Sequence, residues 1–182
     1  MLFRSRFFVA QRDGTWSPVT WGAFADEIRA VASFLAAGDL RPGDRAAVFA
    51  PNRVEWASAA LGIQAAQGVM VPIYPASTAE QAAYVASHSD ARVIFVDTPA
   101  LLGRIFESWE AYAGVRRIVT LDDGLDVAAV LAGLRAKGRR VPDDGEVAGC
   151  VLRWREARAR GEAWDQAHPG AFDALLATAD FD

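Results

Sequence analysis

Asp97 is the residue whose position most directly suggests phosphoryl chemistry. It follows the apolar run Arg92–Val96, which is predicted to be a buried parallel strand, and a carboxylate at such a strand end can bind a metal ion and accept a phosphoryl group. A signalling receiver domain of that kind also needs a lysine at a later strand end to stabilise the phosphate charge. The sole lysine, Lys137, falls inside a predicted helix, so the receiver interpretation lacks its cationic partner.

The other nucleophilic and metal-binding residue types are too dispersed to suggest a catalytic centre. His88 ends a predicted helix, where it would meet the helix dipole, and His168 precedes a proline. Cys150 is the only cysteine, which excludes an internal disulfide and favours a packed thiol. The acidic pairs 122–123 and 143–144 adjoin glycine, as solvated turns do. We predict no catalytic residue and no metal site in this chain.

A nucleotide cradle is not predicted either. Proteins of the α/β class bind phosphate with a glycine-rich turn between strand and helix, because backbone amides must approach the oxygens closely. The chain has neither G-x-G-x-x-G nor G-x-x-x-x-G-K-[ST]. Its corresponding turns read Ala50-Pro51-Asn52, Tyr74-Pro75-Ala76-Ser77 and Asp97-Thr98-Pro99.

Those three turns belong to a predicted α/β repeat. Short apolar runs alternate with helix-sized segments, at residues 46–50, 69–74, 92–96 and 117–121. This pattern is typical of a parallel sheet, here of about four strands, with helices on both faces. The segment Ser77-x-x-Glu80 predicts a capping box for the helix that follows the second strand. Pro72 lacks a backbone donor, so its strand is expected at an edge or to bend there.

A short hairpin and one amphipathic helix precede the repeat. The hairpin is predicted over residues 7–20, with its reversal at Asp13-Gly14. The helix follows Thr20 as its cap and ends near Gly38, since apolar side chains recur at helical spacing between them.

The pattern weakens after residue 121. Helices are predicted over residues 126–137, 150–160 and 169–179, with a charged loop at 138–149 and no further strand.

Composition limits the class of protein further. The 182 residues are 52% hydrophobic and 23% charged, as expected for a single compact domain over residues 1–182. A net charge of -4 does not provide the excess of positive charge that binding to a phosphate backbone requires, so we expect no nucleic-acid partner. The longest apolar region, 57–75, is interrupted by Gln64, Gln67 and Gly68, so no transmembrane segment is predicted. Together with the single cysteine, this predicts a cytoplasmic protein.

Four segments occur in a characteristic order: Thr20-Trp21-Gly22-Ala23-Phe24-Ala25, Leu40-Arg41-Pro42-Gly43-Asp44-Arg45, Pro51-Asn52-Arg53-Val54-Glu55-Trp56 and Ala66-Gln67-Gly68-Val69-Met70-Val71-Pro72-Ile73-Tyr74-Pro75. In this order they resemble the N-terminal region of AMP-forming acyl-CoA synthetases, and the continuation at 76–81 and 89–96 resembles the long-chain fatty acid CoA ligase branch. The resemblance covers residues 15–122 and extends loosely to the part after Val151. Residues 125–149 depart from it and are predicted to be an insertion.

The resemblance implies a parent enzyme that uses ATP, Mg2+ and CoA to convert a long-chain fatty acid to acyl-CoA, AMP and pyrophosphate. In that family the Ser/Thr/Gly-rich phosphate loop, the nucleotide motifs and the catalytic lysine all follow this region, and nothing in residues 1–182 matches them. We therefore expect an incomplete N-terminal part of a larger ligase, inactive alone and binding none of these cofactors tightly. For the parent, peripheral association with a membrane is a further implication.

The resemblance also implies a CoA contact at the turn after the second parallel strand, which in related ligases lies against the adenine of CoA. Here that turn is Tyr74, Pro75 and Ala76, with Tyr74 expected to stack on the adenine and Arg104 expected to contact a phosphate. The structural alternative is that Tyr74 caps the core and Arg104 is a solvated helix residue.

Two expectations about partners follow. In the family this region packs on a second large subdomain, so we expect an apolar exposed face and a homodimer that covers it, given six tryptophans and ten phenylalanines. The competing hypothesis is a free-standing α/β binding or interaction module without catalysis. The codons after Asp182 distinguish the two: a phosphate loop favours the ligase, and a stop codon favours the module.

Overall fold

The computed structural model describes residues 5–10 and 15–178, which form a five-stranded parallel sheet between two layers of helices, with a two-stranded antiparallel hairpin at the N-terminal end. The hairpin strands are β1 (Arg6–Ala10) and β2 (Trp16–Thr20). The sheet strands are β3 (Arg45–Phe49), β4 (Val69–Ile73), β5 (Ala91–Val96), β6 (Arg117–Thr120) and β7 (Val151–Arg153), in the spatial order β4-β3-β5-β6-β7. The predicted reversal at Asp13-Gly14 lies outside the described residues.

Eight α-helices connect and cover the strands in the described part of the chain. They are α1 (Trp21–Phe34), α2 (Val54–Ala65), α3 (Ala79–His88), α4 (Pro99–Glu107), α5 (Val127–Ala136), α6 (Asp144–Cys150), α7 (Trp154–Ala167) and α8 (Ala171–Ala177). A π-helical turn, Leu35–Asp39, ends α1, and a 3-10 turn, Trp109–Tyr112, follows α4. Gly38 has φ of 133°, a conformation that side chains with a Cβ rarely adopt, so the predicted glycine stop is confirmed.

Alternation along the buried strands divides the core into two clusters. On one face Val48, Phe95 and Val119 pack with α1, α2, α7 and α8. On the other face Phe49, Ile94 and Ile118 pack with α3, α4, α5 and α6. Successive strand residues point to opposite faces, and both faces are covered, so the strands are continuously apolar. The predicted parallel sheet with helices on both faces is confirmed.

The edge strands carry features that discourage further pairing. β4 lies at one end of the sheet, as Pro72 predicts, and the exposed Pro72 removes one donor from its edge. β7, at the other end, has three residues. Short or proline-bearing edge strands are poor templates for pairing with another chain.

Three local predictions are wrong. Residues 151–153 form strand β7 rather than the start of a helix, so the sheet has five strands and α7 begins only at Trp154. Residues 144–150 form helix α6 rather than loop, because the Asp143 side chain accepts the amide of Glu146 in a capping box. The box of α3 is formed by Thr78 and Gln81, one residue beyond the predicted pair. The segment 125–149 contributes α5 and α6 to the core, and its status as an insertion stays a prediction.

Helix α7 packs very closely on α1. A Cβ built on Gly161 would lie 1.9 Å from the carbonyl oxygen of Ala30, so only glycine allows this approach. Polar contacts fix the pair: the Arg29 guanidinium binds Asp165 with N–O distances of 2.7 and 3.0 Å and lies over the Phe172 ring. Glu27 accepts hydrogen bonds from buried Ser58 on α2 and from the Trp154 indole. These contacts make the segment after residue 153 an integral layer of the fold.

Across the described residues, no helix has the length and apolar character needed to cross a membrane.

Candidate functional site

The candidate site lies at the carboxyl end of the parallel strands, where α/β sheets bind ligands. The chain passes from β3 to neighbouring β4 on one side and from β5 to neighbouring β6 on the other, so the crossovers change direction between β3 and β5. A crevice forms at such a point because the two loops diverge. The turns after β3, β4 and β5 surround this position.

The turn after β4 presents an aromatic ring to solvent. The Tyr74 carbonyl accepts the Ser77 amide at 2.9 Å, which closes the turn, and Pro75 limits its backbone freedom. Thr78 then caps α3 by accepting the Gln81 amide at 3.2 Å. The Tyr74 side chain is 75% exposed, so it does not cap the core. Its ring is available for stacking on a planar ligand.

Arg104 joins this turn to α4. Its Nη1 donates to the carbonyl oxygens of both Pro75 and Ser77, each at 2.7 Å. The structure therefore brings together all four residues predicted to contact CoA: Tyr74, Pro75, Ala76 and Arg104. The alternative of a solvated helix residue does not hold for Arg104, because its guanidinium points towards the turn and binds the main chain there. It also lines an open groove of about 390 Å³ between α4 and α5, which Lys137 borders.

An ion cluster that sequence reasoning missed occupies the point between β3 and β5. Arg53, in the loop before α2, donates through Nη1 to Oδ1 of Asp97 and through Nε to Oε2 of Glu55 at 2.6 Å. The Asp97 side chain is fully buried. Burial opposes the Arg53 charge, but the hydrogen bonds and charges of Glu55 and Asp97 outweigh it and raise the pKa of Arg53.

This cluster gives Asp97 a structural role. A buried carboxylate already bound to a guanidinium is shielded from solvent, unlike a phosphoacceptor. Two signals could have revealed the pair. Asp97 directly follows strand β5 and Arg53 lies in the loop after β3, and a charged residue adjoining an apolar strand needs a partner once buried. The pair could not be predicted because the sequence alone does not show that β3 and β5 are neighbours in the sheet.

The remaining chemistry-bearing residues have structural surroundings. His88 stacks on Tyr84 with ring centres 5.2 Å apart, and His168 stacks on Trp164 at 4.6 Å. Cys150 is half-buried, and burial raises the pKa of its thiol, which leaves less of the reactive thiolate. Among residues 5–10 and 15–178, no group of three or more His, Cys, Asp and Glu side chains is arranged to hold a metal ion.

A larger open groove in the described part lies elsewhere. Its volume is about 710 Å³, and it runs between α3, the 3-10 turn and residues 140–142. None of the four residues predicted to contact CoA lines it. Its rim carries exposed ion pairs such as Arg140 with Glu110 at 2.9 Å, which are weak in water.

Comparison with known families defines the class of this fold. The AMP-binding enzyme family matches residues 4–151, most of the chain. The chain belongs to this family.

Particular relatives and solved structures are similar over part of their length. The chain is 34% identical over 109 residues to the long-chain-fatty-acid–CoA ligase FadD15 of Mycobacterium tuberculosis, which covers 60% of this chain and 18% of that protein. It is 30% identical over 110 residues to the long-chain-fatty-acid–CoA ligase ACSBG1 of Bos taurus, covering 60% of this chain and 15% of that protein. The chain thus spans less than a fifth of these relatives.

Among solved structures, the adenylation domain of a carboxylic acid reductase from Segniliparus rugosus, in complex with AMP and a carboxylic acid, matches with a TM-score of 0.66 at 20% identity. That match covers 88% of this chain and 27% of the other. At this identity the likeness shows a shared fold.

Proposed function

We propose that this chain is the N-terminal portion of a long-chain fatty acid CoA ligase, which converts a fatty acid, ATP and CoA to acyl-CoA, AMP and pyrophosphate. The observation that carries the proposal is the similarity to two long-chain-fatty-acid–CoA ligases over about 110 residues of this chain. The family match over residues 4–151 supports the use of ATP.

The chain alone is inactive in this proposal. Adenylation depends on groups that position the phosphates and stabilise their charge. Residues 1–182 contain no phosphate loop, and their single lysine, Lys137, is exposed at the end of α5. ATP, Mg2+ and the fatty acid therefore bind in the parent enzyme and not tightly to this portion.

CoA contacts the turn of Tyr74, Pro75 and Ala76. The support is physical: the Tyr74 ring is exposed on a turn that three hydrogen bonds fix, one from the Ser77 amide to the Tyr74 carbonyl and two from Arg104, so stacking costs little ordering of the protein. A cytoplasmic location with peripheral membrane association fits a substrate that partitions into lipid.

A second copy of the chain covers the exposed aromatic face, giving a homodimer. Phe8 is 58% exposed and Trp16 66% exposed on the outer side of the hairpin, where Phe8 pairs with Pro18. Trp21, whose ring lies against Phe7, is also 49% exposed. An apolar face of this kind is typical of an interaction surface.

Fatty-acid-dependent pyrophosphate release tests the proposal. We expect none from the purified 182-residue chain and clear release from the protein encoded by the complete reading frame, given ATP, Mg2+ and a long-chain fatty acid. Release from the 182-residue chain would overturn the assignment of inactivity. A reading frame that stops after Asp182 would overturn the ligase proposal and leave the binding module.

A further inference from the structure

The strongest unexplained contact in the candidate site is the pair of hydrogen bonds made by Arg104. One guanidinium nitrogen reaches two main-chain carbonyls, of Pro75 and Ser77, at 2.7 Å each. These carbonyls lie on both sides of Ala76, so the contact fixes the middle of the turn. Charge-assisted hydrogen bonds of this length are among the stronger polar contacts in proteins.

The element that carries Arg104 is rigidly held. Helix α4 begins at a Thr98 cap followed by Pro99, and it buries Leu101, Leu102, Ile105 and Phe106 in the core. Arg104 lies in the last turn of this helix and is itself half-buried. Through Arg104, the turn after β4 is therefore anchored to a helix that packs in the core, as well as to its own strand.

From this geometry we infer that Arg104 is a positioning residue for CoA binding: it fixes the Tyr74–Ser77 turn so that the Tyr74 ring faces the ligand, and it does not contact a CoA phosphate. This inference rests on the proposed function. It revises the expectation from sequence, in which Arg104 was a phosphate partner. A guanidinium whose nitrogen is bound to two carbonyls acts through the shape of the turn, because its direction is already set.

Two coenzyme forms separate the two roles of Arg104. In the complete enzyme, Arg104→Met is expected to raise KM about tenfold for CoA and by the same factor for 3′-dephospho-CoA, since a misplaced turn weakens both. Pyrophosphate exchange, which takes no CoA, should change far less. A rise confined to CoA would identify a phosphate contact and overturn the inference, as would an unchanged KM for both.

Three further variants sharpen the result. Arg104→Lys keeps a donor for the carbonyls and is expected to recover part of the loss. Arg104→Met added to Tyr74→Ala should add little, because the first acts through the second; full additivity would contradict this. Arg140→Met removes an arginine that is 91% exposed and should leave KM for CoA unaltered, which controls for net charge.

Amide hydrogen exchange tests the role of Arg104 without requiring enzymatic activity. In the folded 182-residue chain, Arg104→Met is expected to speed exchange of the Ser77 amide at least tenfold, with core amides of β5 unaffected. Unchanged exchange at Ser77 would overturn the inference even in an active enzyme. Absence of fatty-acid-dependent pyrophosphate exchange from the complete enzyme would instead reject the proposed function. The hydrogen-exchange measurement would still report on the turn.

Discussion

Arg53, after β3, donates a hydrogen bond to Asp97, directly after β5, so an ion pair at the carboxyl end of the sheet links the two strands between which the crossovers change direction. The carboxylate is fully buried, and the guanidinium side chain is 26% exposed. The pair therefore holds together the two loops that border the candidate crevice.

Breaking this pair is expected to destabilise the protein strongly. Arg53→Met removes the guanidinium that donates to the buried Asp97 carboxylate, and removing one member of a buried pair typically costs about 3 kcal/mol. Urea unfolding followed by circular dichroism measures the change. The matched control is Arg140→Met, whose ion pair with Glu110 is exposed and should contribute less than about 0.5 kcal/mol. Equal losses for the two variants would contradict a special role for the buried pair.

Gly161→Ala tests the close approach of α7 to α1. Since the added methyl would meet the Ala30 carbonyl at 1.9 Å, the helices must separate, and we expect a loss of about 2 kcal/mol or more in unfolding free energy. Gly133 in α5 has open space around its Cβ position, so Gly133→Ala should instead stabilise by about 0.5 kcal/mol through helix propensity. A neutral Gly161→Ala variant would show that α7 does not pack as described.

Tyr112 predicts a pH dependence of stability. Its hydroxyl is buried without a hydrogen-bond partner among the described residues, and burial raises its pKa above the usual value near 10. The folded state disfavours the phenolate, whereas the unfolded chain ionises near pH 10. The free energy of unfolding therefore does not depend on Tyr112 ionisation below pH 10 and falls as the pH rises further. Tyr112→Phe should stabilise by up to about 1 kcal/mol at neutral pH, since it removes an unpaired polar group.

The measurement is the urea midpoint from pH 7 to pH 11. Tyr112→Phe should lose less stability above pH 10 than the unsubstituted chain. Tyr84→Phe, at a tyrosine that is 65% exposed, is the control and should follow the unsubstituted chain. Parallel curves for the unsubstituted chain and Tyr112→Phe would contradict the account.

The exposed hairpin face predicts concentration-dependent association. Sedimentation equilibrium of the 182-residue chain should give a mass that rises from one chain towards two, and Trp16→Ser should shift the equilibrium towards single chains. Each 100 Å² of apolar surface removed from water contributes about 2.5 kcal/mol. Tyr84→Ser, elsewhere on the surface, should have no effect. A single-chain mass at every concentration would mean that this face needs no covering partner.

The fold was largely predictable because its signals are local. Apolar runs alternating with helix-sized segments identify β3 to β6, and Pro72 places β4 at an edge. Strand β7 was missed because three residues are too few to show a period, and the charged helix that follows masks them. Its strand character comes from pairing with β6, which is a tertiary effect.

The candidate site was predictable only in part. The position of Tyr74 after an edge strand could be read from the sequence. The contacts of Arg104 with Pro75 and Ser77 could not, since they join residues 27 and 29 positions apart. The Arg53–Asp97 pair likewise depends on β5 lying beside β3, although β4 comes between them in the chain.

The most direct test of the central claim is the product made by the protein encoded by the complete reading frame. Given ATP, Mg2+ and CoA, with long-chain fatty acids, 4-hydroxybutyrate and anthranilate as competing acids, mass spectrometry should detect mainly long-chain acyl-CoA, together with AMP. Formation of the short-chain or aromatic thioester in place of the long-chain product would contradict the long-chain assignment, and absence of any acyl-CoA would contradict the ligase assignment itself.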